Sequence, residues 1–293
     1  MSLIHAKGLE KHYGQQVVLE RMNLTVEAGE FITLVGASGC GKTTFLKLLL
    51  GTEGVSRGEL LLDGKPIPGE PGPDRGIVFQ KYSVFPHLTV LGNVIMAEEL
   101  ARAPLTGKLF GAKRREARVA AEKRLEEVGL SHALDKYPHE LSGGMQQRLA
   151  IAQALMMKPR ILLLDEPFGA LDPGIRKDMH QLILRLWEEQ QLTIFMITHD
   201  LKEAFELGSR VWVFDKVRVD PQAPQAYGST ITYDLPTERS KAKASSQQQG
   251  SVQTSSVQAG ADQPTPEHET LTTPAHSVSQ ATLTGGQINE HTA

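Results

Sequence analysis

The chain has 293 residues, of which 40% are hydrophobic, and its formal net charge at pH 7 is -3. This length and apolar content can build a sizeable core, and the near-neutral charge excludes the global basic field that draws many proteins to nucleic acid. A single cysteine excludes an internal disulfide framework, and no stretch approaches the roughly 20 apolar residues that span a bilayer or resembles a signal peptide, so we expect a soluble or peripheral protein.

The first strong structural signal is an apolar run followed by a glycine loop and a helix. Residues 31–35 are apolar and β-branched and stop at Gly36, which predicts a buried strand. Residues 44–50 contain strong helix formers and stop at Gly51, which predicts a helix with a glycine C-cap. A strand, a glycine loop and a helix form the context that a phosphate-binding loop requires.

Later segments alternate between strand and helix patterns and predict an α/β fold. Short apolar runs at 76–79, 161–164 and 194–197 are typical of parallel strands that are covered on both faces. Residues 112–128 predict an amphipathic helix whose apolar positions are Val119, Leu125 and Val128. The basic cluster at 113–115 belongs to this helix, and a solvated face explains it better than a nucleic-acid contact. We expect a helical lobe at about 81–158, inserted into the sheet domain.

A change of composition near residue 239 predicts a domain boundary. Residues 1–238 read as globular, whereas 239–293 are rich in Ser, Gln, Thr, Ala and Pro. Such a segment cannot bury enough apolar area to offset its conformational entropy, so we expect it to be disordered. A solvated tail is the simpler interpretation, and a partner-binding or tethering element is the alternative.

The loop after the first buried strand predicts a nucleotide phosphate site. Glycines let the backbone approach phosphate oxygens closely, and the following helix N-terminus presents unpaired N–H groups. Lys42 would reach the β- and γ-phosphates, and the Thr43 hydroxyl would bind Mg²⁺. Cys40 within the loop is either a tolerated small residue or a thiol whose modification would block nucleotide. The complete predicted loop is Gly36, Ala37, Ser38, Gly39, Cys40, Gly41, Lys42, Thr43 and Thr44.

Two acids at the end of the strand at 161–164 predict the metal and hydrolysis chemistry. Asp165 follows four aliphatic residues, where an ionised carboxylate needs a cation such as Mg²⁺ nearby. Glu166 would point elsewhere, because side chains alternate along a strand, and would serve as general base for the attacking water. A surface or capping pair is the plainer alternative for these two residues.

Three further side chains are candidates for the same site. His199 follows the strand at 194–197 and would contact the γ-phosphate and orient Glu166, although a lone histidine is more often structural. Gln80 follows the strand at 76–79 and would contact the metal and the attacking water. The Tyr13 ring would stack on adenine, because every base has a π-face, and a core or surface tyrosine is the alternative.

A second serine and glycine element requires a different explanation. Ser142 is a good N-cap, and Gly143 and Gly144 expose N–H groups at a predicted helix start. One ATP needs only one such cradle. If two copies pack head to tail, this element of each copy would reach the γ-phosphate that the other holds.

With these motifs in this order, residues 3–238 resemble the ATP-binding subunits of ABC transporters, nearest the nitrate, sulfonate and taurine importer type. The resemblance implies a P-loop NTPase core with a mainly parallel sheet, an antiparallel β subdomain and the inserted helical signature subdomain. It matches Gly36 to Thr44 to the Walker A loop, Gln80 to the Q-loop, Leu141 to Gln146 to the signature and Asp165 to the Walker B acid. The remaining matches are Tyr13 to the adenine contact, Glu166 to the catalytic glutamate, Ala170-Leu171-Asp172 to the D-loop and His199 to the switch histidine.

The resemblance also implies partners and a location. ATP and Mg²⁺ would be bound by a dimer of two copies at the cytoplasmic face of the inner membrane. The segment from Gln80 to Asn93 would receive an integral membrane permease, and a solute-binding protein would belong to the same system. We expect no nucleic-acid partner. An exporter or lipid transporter subunit is the first alternative, and a soluble non-transport ABC ATPase is the second.

Overall fold

The computed structural model describes residues 2–80, 83–103, 107–223 and 225–240. Two β-sheets and a group of helices make up this part of the chain. The strands are β1 (Ser2–Tyr13), β2 (Gln16–Glu27), β3 (Phe31–Gly36), β4 (Arg57–Leu62), β5 (Lys65–Pro66), β6 (Arg75–Val78), β7 (Ile161–Asp165), β8 (Thr193–Ile197), β9 (Arg210–Asp215) and β10 (Thr230–Pro236). The helices are α1 (Lys42–Leu50), α2 (Val90–Arg102), α3 (Gly111–Glu127), α4 (Gly143–Leu155), α5 (Pro173–Gln190) and α6 (Leu201–Leu207), with short 3₁₀ turns at Ser131–Ala133 and Pro138–Glu140.

The larger sheet carries the three predicted buried strands β3, β8 and β7 side by side. Its order in the described residues is β10-β9-β3-β8-β7-β6, and every pair is parallel except the antiparallel pair β10 and β9. Along β7, Leu162 and Leu164 join one hydrophobic cluster, whereas Ile161 and Leu163 join another. Side chains alternate between sheet faces, so both faces are covered and the strand is apolar up to Asp165.

A smaller antiparallel sheet and α1 cover one face of the larger sheet. The order of the smaller sheet in the described residues is β2-β1-β4-β5. Phe45 of α1 packs edge-on against Phe195 and Trp212, at ring-centroid distances of 6.2 and 6.0 Å. These aromatic contacts hold α1 on the sheet and therefore fix the position of the loop that precedes it.

Helices α2, α3 and α4 form the predicted lobe between β6 and β7. Helix α3 confirms the predicted helix at 112–128 to within one residue, but Val119 is 66% exposed and was wrongly placed on the apolar face. The buried hydrophobic positions are Ala117, Ala121 and Leu125, which follow one another at four-residue intervals. Val119 lies two residues from both Ala117 and Ala121, which is about 200° around a helix with 3.6 residues per turn and so on the opposite side.

In the described part of the chain, no helix has both the length and the apolar composition needed to cross a membrane. The chain divides into two compact units, Met1–Gln247 and Gln248–Ala293, and the second unit lies outside the described residues. The predicted tail at 239–293 therefore lies outside them except for its first two residues, and the boundary at 238 stays a prediction.

Candidate nucleotide site

The carboxyl ends of β3, β8 and β7 meet at one edge of the larger sheet. Gly36 ends β3, Asp165 ends β7, and Thr198 and His199 follow β8. These strands are neighbours in the sheet, so residues distant in sequence meet at this edge. The crevice at the carboxyl ends of parallel strands is where open α/β sheets bind ligands.

The predicted phosphate loop wraps around its own lysine. The Lys42 ammonium donates to the carbonyl oxygens of Gly36 and Ala37 at 2.8 and 2.9 Å, and the side chain is largely buried. Gly36 has φ +148°, and a Cβ there would lie 2.2 Å from the Phe214 carbonyl oxygen. Only glycine fits this position, and the two hydrogen bonds from Lys42 stabilise the curved shape of the loop.

This loop encloses a cavity suited to a phosphate group. Helix α1 begins at Lys42 with Gly41 as N-cap, and no acidic residue occupies its first turn. The unpaired N–H groups and the helix dipole therefore favour an anion. The cavity lining consists of Val18, Ser38, Gly39, Gly41, Lys42, Thr43, Thr44, Glu166 and Ile197.

Thr43 and Asp165 meet as a pair of oxygen donors. The Thr43 hydroxyl donates to the Asp165 carboxylate, at 3.1 Å to Oδ2 and 3.4 Å to Oδ1. Burial raises the pKa of Asp165 most, the neighbouring Glu166 raises it further, and the hydrogen bond from Thr43 opposes the rise. Hydroxyl and carboxylate oxygens are the ligand types that Mg²⁺ prefers, so this pair fits the predicted metal.

Two of the other predicted catalytic residues, Gln80 and His199, lie next to the same carboxylate oxygen of Glu166. Gln80 Nε2 donates to Glu166 Oε2 at 3.0 Å, and His199 Nδ1 lies 3.8 Å from the same oxygen. The expected reason for the direction of Glu166 was wrong. The strand ends at Asp165, and Glu166 has φ +46°, so a left-handed turn and not strand alternation separates the two carboxylates.

Tyr13 lies at the end of β1 with contacts that the sequence did not predict. Burial raises the pKa of its hydroxyl, and the neighbouring Glu53 carboxylate adds to the rise. The Lys11 ammonium lies 4.8 Å from its ring centroid and 2.8 Å from the Glu53 carboxylate. Lys11 was missed because β1 and the loop after α1 meet only in the fold. The ring is 42% exposed and keeps surface available for a base.

The serine and glycine element begins helix α4. Ser142 is the N-cap, and its hydroxyl accepts from the Met145 backbone N–H at 3.4 Å, so the predicted capping role is confirmed. A Cβ on Gly144 would lie 2.6 Å from Ile175 Cγ2, so glycine is needed for close packing against α5. Among the described residues, Ser142, Gly143 and Gly144 do not line the cavity of the phosphate loop.

Cys40 is buried in the core under the loop, whereas Asp172 is exposed at the start of α5. The Cys40 thiol is buried, 3.5 Å from the Lys42 ammonium, and contributes to the core under the loop. Asp172 is the N-cap position of α5, is exposed, and makes no side-chain capping bond to the described residues. Packing accounts for Cys40, while the exposed Asp172 carboxylate remains available to a partner.

The predicted partner surface is held by a buried asparagine. The Asn93 side chain accepts from the Phe85 backbone N–H at 2.7 Å and donates to the carbonyl oxygens of Phe85, Leu88 and Thr89 at 2.9 to 3.1 Å. Gln153 of α4 donates to Asn93 at 3.2 Å. Residues 81 and 82 lie outside the described residues. The loop at 85–89 is therefore fixed to α4, the helix that begins at Ser142.

Comparison with known proteins agrees with this geometry. Residues 19–169 match the family model described as ABC transporter. Nitrate import ATP-binding protein NrtD of Synechococcus elongatus is 43% identical over 77% of this chain and 78% of its own length. Bicarbonate transport ATP-binding protein CmpD of Synechocystis is 40% identical over 78% of this chain and 77% of its own. A solved dimeric bacterial ABC transporter cassette aligns with a TM-score of 0.63 at 29% identity, over 80% of this chain and 98% of that one.

Proposed function

This chain belongs to the ABC transporter family as an ATP-binding, ATP-hydrolysing subunit, and we propose that it powers solute import through a membrane permease as a head-to-tail dimer. Relatives named for nitrate import and bicarbonate transport match it at 43% and 40% identity. Because such different cargoes accompany similar sequences, the shared residues serve the ATP-driven step and not the choice of cargo. The predicted fold class and enzyme class are confirmed by the family.

One observation carries the hydrolytic part of this proposal. Glu166 lines the phosphate-loop cavity, and its Oε2 atom is approached by both Gln80 and His199. A carboxylate that hydrogen-bond donors orient toward a phosphate site is the arrangement that general-base hydrolysis needs.

The chain's own residues then divide the work. The backbone N–H groups of residues 38–44 and the Lys42 ammonium bind the phosphates. Tyr13 stacks on adenine, with the Lys11 ammonium beside its ring and paired with Glu53. Glu166 accepts a proton from the water that attacks the γ-phosphorus. The bond from that phosphorus to the bridging oxygen breaks, and its electron pair leaves with ADP.

Thr43, Asp165 and Gln80 would hold Mg²⁺ at the edge of the cavity. Thr43 and Asp165 are already within hydrogen-bond distance, so a cation replacing the shared proton would find both oxygens in place. When bound, the ion neutralises phosphate charge as the γ-phosphoryl group departs.

A second copy would complete the site. Ser142 to Gly144 form an anion-binding helix start that does not line this chain's own cavity, so a head-to-tail partner would bring them to the γ-phosphate. The exposed Asp172 carboxylate would lie at the same interface. The match to a dimeric cassette supports this arrangement.

The loop at 85–89, which Asn93 holds in place, supports the proposal of a membrane partner. Phe85 is 37% exposed although Asn93 and Gln153 fix the backbone beneath it, so the loop offers a rigid apolar contact. A permease segment would bind there at the cytoplasmic face of the inner membrane, with a solute-binding protein on the opposite side. The residues of the ATP site do not determine the direction of transport, so an exporter subunit is the alternative.

The test of the site is Glu166→Gln. The amide keeps the shape and the contact to Gln80 but cannot accept the proton, so hydrolysis should fall by about 10²- to 10⁴-fold while ATP binding persists. The trapped protein should become a dimer with ATP in light scattering. Lys42→Ala is the control and should lose nucleotide binding. Turnover at the parental rate in Glu166→Gln would contradict the general-base role.

The interface and partner need separate measurements. Adding Ser142→Ala to the Glu166→Gln chain should weaken the ATP-dependent dimer but not ATP binding by the monomer. Copurification with a permease encoded nearby, and ATPase activity stimulated by that permease, would support import. A trapped complex that stays monomeric would contradict the dimer.

A further inference from the structure

Helices α5 and α6 meet through a set of charged residues that the hydrolytic site does not explain. We call this set the α5–α6 seam: Arg176 and His180 on α5, with Asp200 and Glu203 at the start of α6. Arg176 and His180 are four residues apart and share one helix face. The seam lies directly beside His199, since Asp200 is the next residue.

Arg176 bridges two loops of the site. Its Nη2 donates to the Leu171 carbonyl oxygen at 3.2 Å, and its Nη1 lies 4.0 Å from Asp200 Oδ2. Asp200 uses its other oxygen, Oδ1, to cap α6 through the Lys202 and Glu203 N–H groups at 2.8 and 3.3 Å. One guanidinium therefore connects the backbone just before α5 to the residue that starts α6.

The second pair of the seam is buried. His180 Nε2 lies 2.7 Å from Glu203 Oε1, with side chains 12% and 6% exposed. The His180 ring also packs on Phe168, at a centroid distance of 5.2 Å. This pair holds α6 against α5, and the ring contact holds α5 against the turn after Glu166. The contacts of Arg176 therefore join parts of the chain whose relative positions are already fixed.

Arg176 also keeps an unused donor. Among the described residues, its Nε is buried without a hydrogen-bond partner. Among the described residues, the guanidinium is therefore held by the contacts of Nη1 and Nη2. One narrow cavity is lined by Arg176 and Asp200 together with Glu166 and His199. The seam is therefore continuous with the hydrolytic residues.

We propose that Arg176 is a positioning residue, which sets the distance between His199 and Glu166 by tying the Leu171 carbonyl to the start of α6. It touches neither nucleotide nor water in this role. The proposal rests on the function proposed above and adds a coupling between the loop at 170–172, at the expected dimer interface, and the histidine at the γ-phosphate. Movement of one would reposition the other.

The experiment compares Arg176→Ala with Lys177→Ala in the full chain. Lys177 is the exposed neighbour of Arg176, and both line a second cavity of about 380 Å³ between α5 and α6. Among the described contacts, Lys177 has none to Leu171 or Asp200. Arg176→Ala should lower kcat per bound nucleotide by about 10- to 100-fold, because small displacements of reacting groups have effects of this size. KM should stay within about twofold, since the phosphate loop is untouched. Lys177→Ala should leave both unchanged.

Two further variants separate positioning from loss of structure. Arg176→Lys keeps the charge but not the two-armed fork, so its kcat should lie between those of the parental chain and Arg176→Ala. Arg176→Ala combined with Asp200→Asn should lose no more than the worse single variant, because both changes break one bridge. If Arg176→Ala does not fold, the same cycle uses Arg176→Lys.

Distinct outcomes would overturn the idea. A kcat of Arg176→Ala equal to that of the parental chain would contradict the positioning role. The same holds if the variant melts at a lower temperature and the loss of activity matches the loss of molecules that bind nucleotide. Independent losses in the double variant would remove the bridge to Asp200. A parental chain that hydrolyses no ATP would instead contradict the proposed function.

Discussion

Asp165 couples its protonation to folding. Burial raises the pKa of its carboxyl, with Glu166 adding to the rise and Thr43 and Lys42 opposing it. In the unfolded chain the carboxyl titrates near about pH 3.9. The folded state therefore binds the proton more tightly, and stability falls as pH rises from that value through the raised pKa.

Asp165→Asn should stabilise the protein while impairing hydrolysis. The amide removes a partly desolvated charge, and it leaves a neutral side chain with one oxygen where the proposed Mg²⁺ site has a carboxylate. In metal-free buffer, the melting temperature of the variant relative to the parental chain should increase as pH rises above about 4 and then level off. Asp178→Asn, at an exposed position on α5, is the control. If the difference in melting temperature between Asp165→Asn and the parental chain does not change with pH, the charge of Asp165 does not destabilise the fold.

Single residues also show where sequence reasoning stops. The loop from Gly36 to Thr44 was predictable because its function depends on backbone geometry encoded over nine adjacent residues. The direction of Glu166 was predicted for the wrong reason, since its positive φ has no local signal in a glutamate. Lys11 and Arg176 were missed because their partners, Glu53 and Asp200, are distant in sequence.

At the scale of elements, α4 and α5 pack at the point where α4 begins. A Cβ on Gly144 would lie 2.6 Å from Ile175 Cγ2, whereas a Cβ on Gly174, in the first turn of α5, would meet nothing within 4 Å. Gly144 thus has a packing role that is separate from any exposed N–H group.

Gly144→Ala should lower the free energy of unfolding by about 1–3 kcal/mol through overpacking. Gly174→Ala should be neutral or slightly stabilising, because alanine favours helix. Ile175→Ala opens space, so Gly144→Ala should cost less in that background. Denaturant unfolding of the three single variants and of the double variant Gly144→Ala with Ile175→Ala measures these free energies. If Gly144→Ala lowers the free energy of unfolding equally with Ile175 and with Ala at 175, the clash with Ile175 is excluded.

The strands were easier to predict than the faces of the helices. Residues 161–164 and 194–197 are apolar along their whole length, and 31–35 are apolar except for Thr33, because the sheet is covered on both sides. The structure confirms all three strands. In α3 the buried face uses alanines, which carry little hydrophobic signal, and Val119 faces outward. A pattern weighted by large apolar residues therefore predicts the helix but not its orientation.

At the scale of the whole molecule, the last described residues close the fold onto α6. The Thr237 hydroxyl donates to the Gly208 carbonyl oxygen at 2.7 Å, and its backbone N–H donates to the Ser209 carbonyl oxygen at 3.0 Å. Arg239 Nε donates to the Glu206 carbonyl oxygen at 2.7 Å. These bonds satisfy carbonyl oxygens at the end of α6, the helix that starts beside His199. Residues up to 239 therefore belong to the folded domain.

Two truncations test where the functional body ends. Removing residues 241–293 should leave kcat, KM and melting temperature unchanged, because the proposed site residues lie between Tyr13 and His199 and the bonds to α6 are kept. Removing 237–293 deletes three hydrogen bonds and should lower the free energy of unfolding by about 2–3 kcal/mol. Steady-state ATPase assays and thermal melts of both proteins distinguish the cases. A large loss of hydrolysis in the shorter deletion would mean that the polar tail acts on the site, which favours a partner-binding or tethering element over a solvated appendage.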